Sequence, residues 1–154
     1  MTVEDRDRGL RKIQRNVRAF AGLELAIGIQ GPEAGAIEHD ADDLTNVELG
    51  AIHEFGAPGA GIPERSFIRS TFDAKIKQWI GQLEKVGKTI YSTGTGDPKR
   101  ALGILGEKAV SDMRNTINRG IDPPLKPATV ARKGSSKPLI DSGQLKNAIT
   151  WKIR

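Results

Sequence analysis

A chain of 154 residues with net charge +5, 37% hydrophobic and 28% charged residues suits one soluble domain built on one core. The chain has no cysteine, which excludes disulfides, thiolate zinc sites and a cysteine nucleophile. No run approaches the ~20 apolar residues of a membrane span, and the opening MTVEDRDRGLRKIQ lacks the apolar stretch of a signal peptide. The expectation is a product made in a cytoplasm with no membrane partner.

Residues 3–20 read as a helix, since Val3, Leu10, Ile13, Val17 and Phe20 recur at helical spacing; Thr2 is placed to cap it and Gly22 to end it. Residues 23–30, LELAIGIQ, alternate with period two and predict a half-buried strand. Residues 31–43 form an acidic, glycine-containing loop. A short helix follows over 45–55. Thr45 and Glu48 make a capping box, Leu44 and Leu49 fit a hydrophobic staple, and Val47, Ala51, Ile52 and Phe55 supply an expected buried face. Gly56 stands where the helix should end, and 57–65 is a Pro/Gly loop.

A long helix is predicted over about 66–92, with Phe67, Ile68, Phe72, Ile76, Trp79, Ile80, Leu83, Val86 and Ile90 as its buried stripe. Asp97 then caps a helix that starts at Pro98 and runs to about 118. Residues 119–138 hold four prolines and read as a long loop with one helical turn after Pro127. Asp141 or Ser142 starts a brief helix through Ala148, and ITWKI at 149–153 is a second strand. The two strands should pair with each other, with room for a further strand in the loops. The fold class is α+β: a small antiparallel sheet packed by several helices, two of them long, in a single domain spanning 1–154.

Catalytic patterns fail on spacing. His53-Glu54 would need a second histidine at 57, where Ala57 stands. The acids Glu38, Asp40, Asp42 and Asp43 lack a calcium-loop pattern. GTGDPKR at 94–100 has no G-K-[ST], and Ser142 lacks the glycines of a nucleophile elbow. The expectation is therefore no enzyme, no catalytic or metal-binding residue and no cofactor.

Charge is unevenly spread. Residues 19–64 carry nine acids and no Lys or Arg, whereas 99–154 carry twelve basic and four acidic residues. Such blocks suit either a nucleic-acid contact or two complementary subunit faces. Aromatic residues are sparse in the basic third and no DNA-binding motif is present, so a small basic nucleic-acid-binding module is the alternative reading.

Two stretches carry a family pattern. AIHEFGAPGAGIPERSFIRSTFD (51–73) matches a loose E-F-G, loop, P-x-R-x-F block, and PLIDSGQLKNAITWKI (138–153) matches P-L-x-D-[ST]-G-x-L followed by a strand. In this order, with PPLKPATVARKG between them, they resemble tailed-bacteriophage neck and tail-completion proteins, namely the tail-component family of lambda-like phages and the virion morphogenesis family of Mu-like phages. One departure from that pattern is Glu64-Arg65-Ser66, where Ala-Arg-Pro is more usual; it keeps the Arg but loses a helix-starting Pro.

The resemblance implies a structural virion protein, assembled in the bacterial host cytoplasm. It would form a homo-oligomeric ring, six- or twelve-fold, at the head–tail junction or the upper end of the tail. It would join or complete head and tail, serving as a head–tail joining or tail-terminator component. The implied neighbours are the connector or adaptor and the tail tube or terminator proteins, with DNA passing through the lumen without sequence-specific binding. The structural motif would comprise Glu54, Phe55, Gly56, Pro63, Phe67, Leu139, Asp141, Gly143 and Leu145. Phe55 is expected to anchor its helix in the core, and Arg65 to reach a carboxylate such as Glu54 or backbone carbonyls. Interface candidates are Glu38, Asp40, Asp42 and Asp43 on one side and Arg65, Lys126, Arg132 and Lys133 on the other.

Overall fold

A computed structural model describes residues 8–36, 44–93, 95–133, 139 and 143–154. Glu38, Asp40, Asp42, Asp43 and Asp141 lie outside the described residues, as do the expected start of the first helix and its Thr2 cap.

The elements are helix α1 (Arg8–Phe20), strand β1 (Leu25–Ile29), α2 (Asn46–Phe55), α3 (Ile68–Thr93), α4 (Pro98–Arg119), α5 (Pro127–Lys133), α6 (Gln144–Asn147) and strand β2 (Ile149–Ile153). Short 3-10 turns occupy Pro32–Gly35 and Pro58–Ala60. The class is α+β. Among the described residues the sheet has two strands, antiparallel, with Ile27 opposite Trp151 and Ile29 opposite Ile149. The extra strand allowed for in the loops does not appear among them. The first strand starts two residues later than its alternation suggested, because Leu23 N–H turns back to the Phe20 carbonyl.

Local chemistry explains the helix starts. Thr45 and Glu48 form the capping box: Thr45 Oγ1 accepts from Glu48 N–H, and the Glu48 carboxylate accepts from Thr45 N–H at 2.9 Å. Asp97 accepts from Lys99 N–H at 2.9 Å, with Pro98 in the first turn where its missing N–H costs nothing. The stretch 119–138 is less irregular than expected, since α5 occupies nearly two turns of it.

The sheet lies against α4. Ile149 is fully buried, and Trp151 rests on the bare backbone at Gly103 and Gly106; a Cβ on Gly106 would come within 2.5 Å of the indole. Trp151 Nε1–H reaches Glu107 at 2.9 Å. Phe67, Met113, Ile117, Leu145 and Ile149 form the driest part of the core, each contributing about 1.5–3 kcal/mol by burial. Arg114 ties the C-terminal segment to α4 by donating to the carbonyls of Lys146, Asn147 and Ile149. Trp79 on α3 donates to the buried Asp112 of α4 at 3.0 Å, and Lys108 pairs with the same carboxylate. Burial raises the pKa of Asp112, but Lys108 and Trp79 outweigh it and hold the carboxyl below its ordinary value.

Two expected faces are reversed or divided. Helix α2 buries Asn46, Gly50 and Glu54 and turns Val47, Ala51 and Phe55 outward; Phe55 is 64% exposed and is not a core anchor. The reason is close packing: a Cβ on Gly50 would sit 2.0 Å from Ile29 Cδ1, so only the glycine face of α2 can approach β1. On α3, Trp79 and Ile90 are buried, while Phe72, Ile80 and Val86 of the expected stripe are exposed.

Candidate functional site

The resemblance-bearing residues gather at one corner, organised by two buried charges. Glu54, 4% exposed, ends α2 beside the start of α3. Its Oε2 accepts from the Phe67 and Ile68 N–H groups at 2.8 and 2.9 Å. Its Oε1 accepts from Arg69 N–H at 2.9 Å, the Ser66 hydroxyl at 2.7 Å and Arg69 Nε at 3.1 Å. One carboxylate thus caps the orphan N–H groups of another helix, where the helix dipole also favours an anion. Burial pushes the Glu54 pKa up, but these donors outweigh it and the carboxyl titrates below its usual range. Ser66 supplies a hydroxyl to Glu54 and accepts from Ser70 N–H.

Arg65 is the second charge. It is 5% exposed and donates through Nε to the Pro123 carbonyl at 2.8 Å and through Nη2 to the Pro124 carbonyl at 3.3 Å. The backbone-carbonyl alternative therefore holds, and Glu54 is not its partner. Burial also removes Arg65 from the interface candidates, because a docking partner cannot reach it. Its N–H donates to the His53 carbonyl, closing the loop that leaves α2.

The remaining motif residues support this corner. Gly56 leaves α2 at φ +74°, and a Cβ there would lie 2.8 Å from Glu64 N. The following loop is pinned by paired bonds between Ala57 and Ile62, with Pro63 exposed beyond them. Phe67, Leu139 and Leu145 share the core, and Gly143 precedes α6 in a left-handed conformation. Of the basic candidates, Lys126 is exposed just before α5; Arg132 and Lys133 lie in α5, and their side chains are outside the described residues.

The surface offers what the corner does not. An apolar cleft of about 530 Å³ opens between α1 and α3, lined by Phe20, Phe72, Ile76, Trp79, Ile80 and Leu83 among others. Helix α1 contributes Phe20 to it; elsewhere α1 leaves Leu10 and Val17 half exposed and Arg11, Lys12, Arg15 and Arg18 exposed. The α2 stripe Val47, Ala51 and Phe55 lies elsewhere, with the Arg69 guanidinium 4.8 Å above the Phe55 ring. Pattern reading assigned these apolar residues inward; the available signal was the breadth of the α3 stripe, wider than one packed face needs.

Among the described residues no group of three His, Cys, Asp or Glu is placed to hold a metal ion, and no helix is long and apolar enough to cross a membrane. No protein-family model matches the chain, and neither the curated proteins nor the solved structures give a match.

Proposed function

We propose that the chain is a structural virion protein of a tailed phage. It forms a ring at the head–tail junction or the upper end of the tail, joins or completes the two parts, and leaves a channel for DNA. It has no catalytic role. One observation carries the reading: the two motif blocks that resemble neck and tail-completion proteins share a core through Phe67 and Leu145, and Arg65 of the first block grips the Pro123 and Pro124 carbonyls at the start of the run between them. A corner held this tightly serves as scaffold, and it leaves loops and helix faces free for partners.

The flanking partners are the connector or adaptor on one side and the tail tube or terminator on the other, and the ring is six- or twelve-fold. Electron microscopy of lysates from the phage lacking this reading frame tests the reading. Filled heads beside separate tails, or tails with abnormal ends, are expected; normal infectious particles would overturn it. A second reading, the small basic nucleic-acid-binding module, draws on α1, whose thirteen residues RGLRKIQRNVRAF contain five cations and no acid. Retention on heparin through moderate salt, with normal particles in the deletion, would favour it.

A further inference from the structure

We infer that α1 is the element of this chain that touches DNA: its cationic side holds the phosphates of a duplex without reading sequence, and in the ring that side faces the channel. The channel placement rests on the ring reading; the phosphate site rests on α1 alone.

Spacing builds the site. At about 100° per residue, Arg11, Lys12, Arg15 and Arg18 fall within an arc of about 120° on α1, and the stripe runs for roughly 10 Å along the axis. Leu10, Ile13, Val17 and Phe20 fall on the opposite side. All four cations are exposed. Among the described residues the ion pairs join Arg69 to Glu54 and Glu64, and Lys108 to Asp112; none takes an α1 cation. The helix has no acid of its own. Even with Glu4, Asp5 and Asp7 before it, residues 1–18 hold six basic against three acidic residues. Arg11 and Arg15 are four apart, and Arg15 and Arg18 three apart, so like charges repel along the stripe until an anion meets them.

The chemistry selects a chain of phosphates. Three of the four cations are arginines, whose planar fork can donate two bonds to one phosphate. Duplex DNA carries one charge per ~1.7 Å of its axis, so a stripe of this length meets several phosphates at once. Exposed Gln14 flanks the stripe and adds an uncharged donor of the kind that positions a backbone. The aromatic residue of α1, Phe20, lines the cleft on the apolar side, so the cationic side has no ring on which an unpaired base could stack. A lipid surface fits less well. A membrane-surface helix lays its apolar side into the bilayer interface, whereas α1 packs on α3 and α4 with Ile13 and Phe20 partly covered.

Fluorescence anisotropy with two short labelled duplexes of unrelated sequence tests the phosphate site. Wild type should bind both alike, with log affinity falling against log salt at a slope between about −3 and −4 for four phosphate contacts. Arg11→Gln/Arg15→Gln should weaken binding at least about tenfold at low salt and flatten the slope by about 2. Lys85→Gln/Lys88→Gln removes the same charge from exposed positions of α3 and should change both quantities far less. Glutamine is a good helix former and all four positions are exposed, so circular dichroism should be unchanged. An α1 pair no weaker than the α3 pair, a flat wild-type salt slope, or binding to phosphatidylglycerol vesicles in place of DNA would overturn the site. So would poly-glutamate that displaces the duplex as readily as free DNA does. Formaldehyde cross-linking of intact virions tests the channel placement and needs no folding variant: the chain should be linked to DNA through Lys12. A chain present in particles but never linked would overturn the placement while the ring reading survives. A chain that binds duplex DNA through α1 but is absent from particles would overturn the ring reading and leave the phosphate site standing.

Discussion

Replacing Glu54 by Gln probes the cap that joins α2 to α3. The substitution keeps the size of the side chain and removes its charge. Five donors converge on the native carboxylate, two on Oε2 and three on Oε1. Either orientation of a Gln amide aims its NH₂ at donors: at Phe67 and Ile68 N–H in one, at Ser66, Arg69 N–H and Arg69 Nε in the other. Leaving buried donors unmet costs about 1–3 kcal/mol, and breaking a buried charged network about 3–5 kcal/mol. The Arg69 side chain is half exposed, so its ion pair adds little. A loss of about 3 kcal/mol is expected, which for a chain of this size lowers the melting temperature by roughly 6–12 °C. The sign with pH follows from the depressed carboxyl: its contribution is complete above the unfolded value of about 4.3 and is lost as pH falls through the lower folded value. Urea unfolding followed by tryptophan fluorescence at pH 7 and pH 3.5 should therefore show a wide gap between wild type and variant that narrows in acid. A gap below about 1 kcal/mol at pH 7, or one that widens in acid, would refute the cap.

Arg65→Lys should cost about 2 kcal/mol in the same unfolding assay despite keeping the charge, because an ammonium cannot span the Pro123 and Pro124 carbonyls as the guanidinium does. Gly106→Ala should cost about 1–3 kcal/mol and shift Trp151 emission, since its methyl group meets the indole. Gly56→Ala should destabilise by at least about 1 kcal/mol in thermal melts, given its positive φ and the nearby Glu64 backbone.

Much of the architecture was legible because local signals agreed with one another. The Thr45/Glu48 box, the Asp97-Pro98 start and the two alternating strands each specify an element by short-range chemistry, and the fold uses all of them. Faces were less legible. Apolar residues were expected inward on α2, but close approach to β1 requires Gly50 there and the α3 cap requires Glu54, so Val47, Ala51 and Phe55 were turned outward. A buried carboxylate that caps a distant helix leaves no periodic trace in sequence. The bonds of Arg69 to the Glu54 carbonyl and of Asp112 to Trp79 leave no such trace either, since each joins two different elements. Arg65 was recognised as an anchor, but its partners, carbonyls about 58 residues away, follow from tertiary packing alone.

The place proposed for this chain is the neck or tail end of a virion. Gold labelling of intact particles with an antibody raised against the purified chain tests it most directly. Label is expected at the junction between head and tail, or at the upper tail end on tails that lack heads. Label confined to the head shell or the distal tail tip, or particles that contain none of the chain, would contradict it.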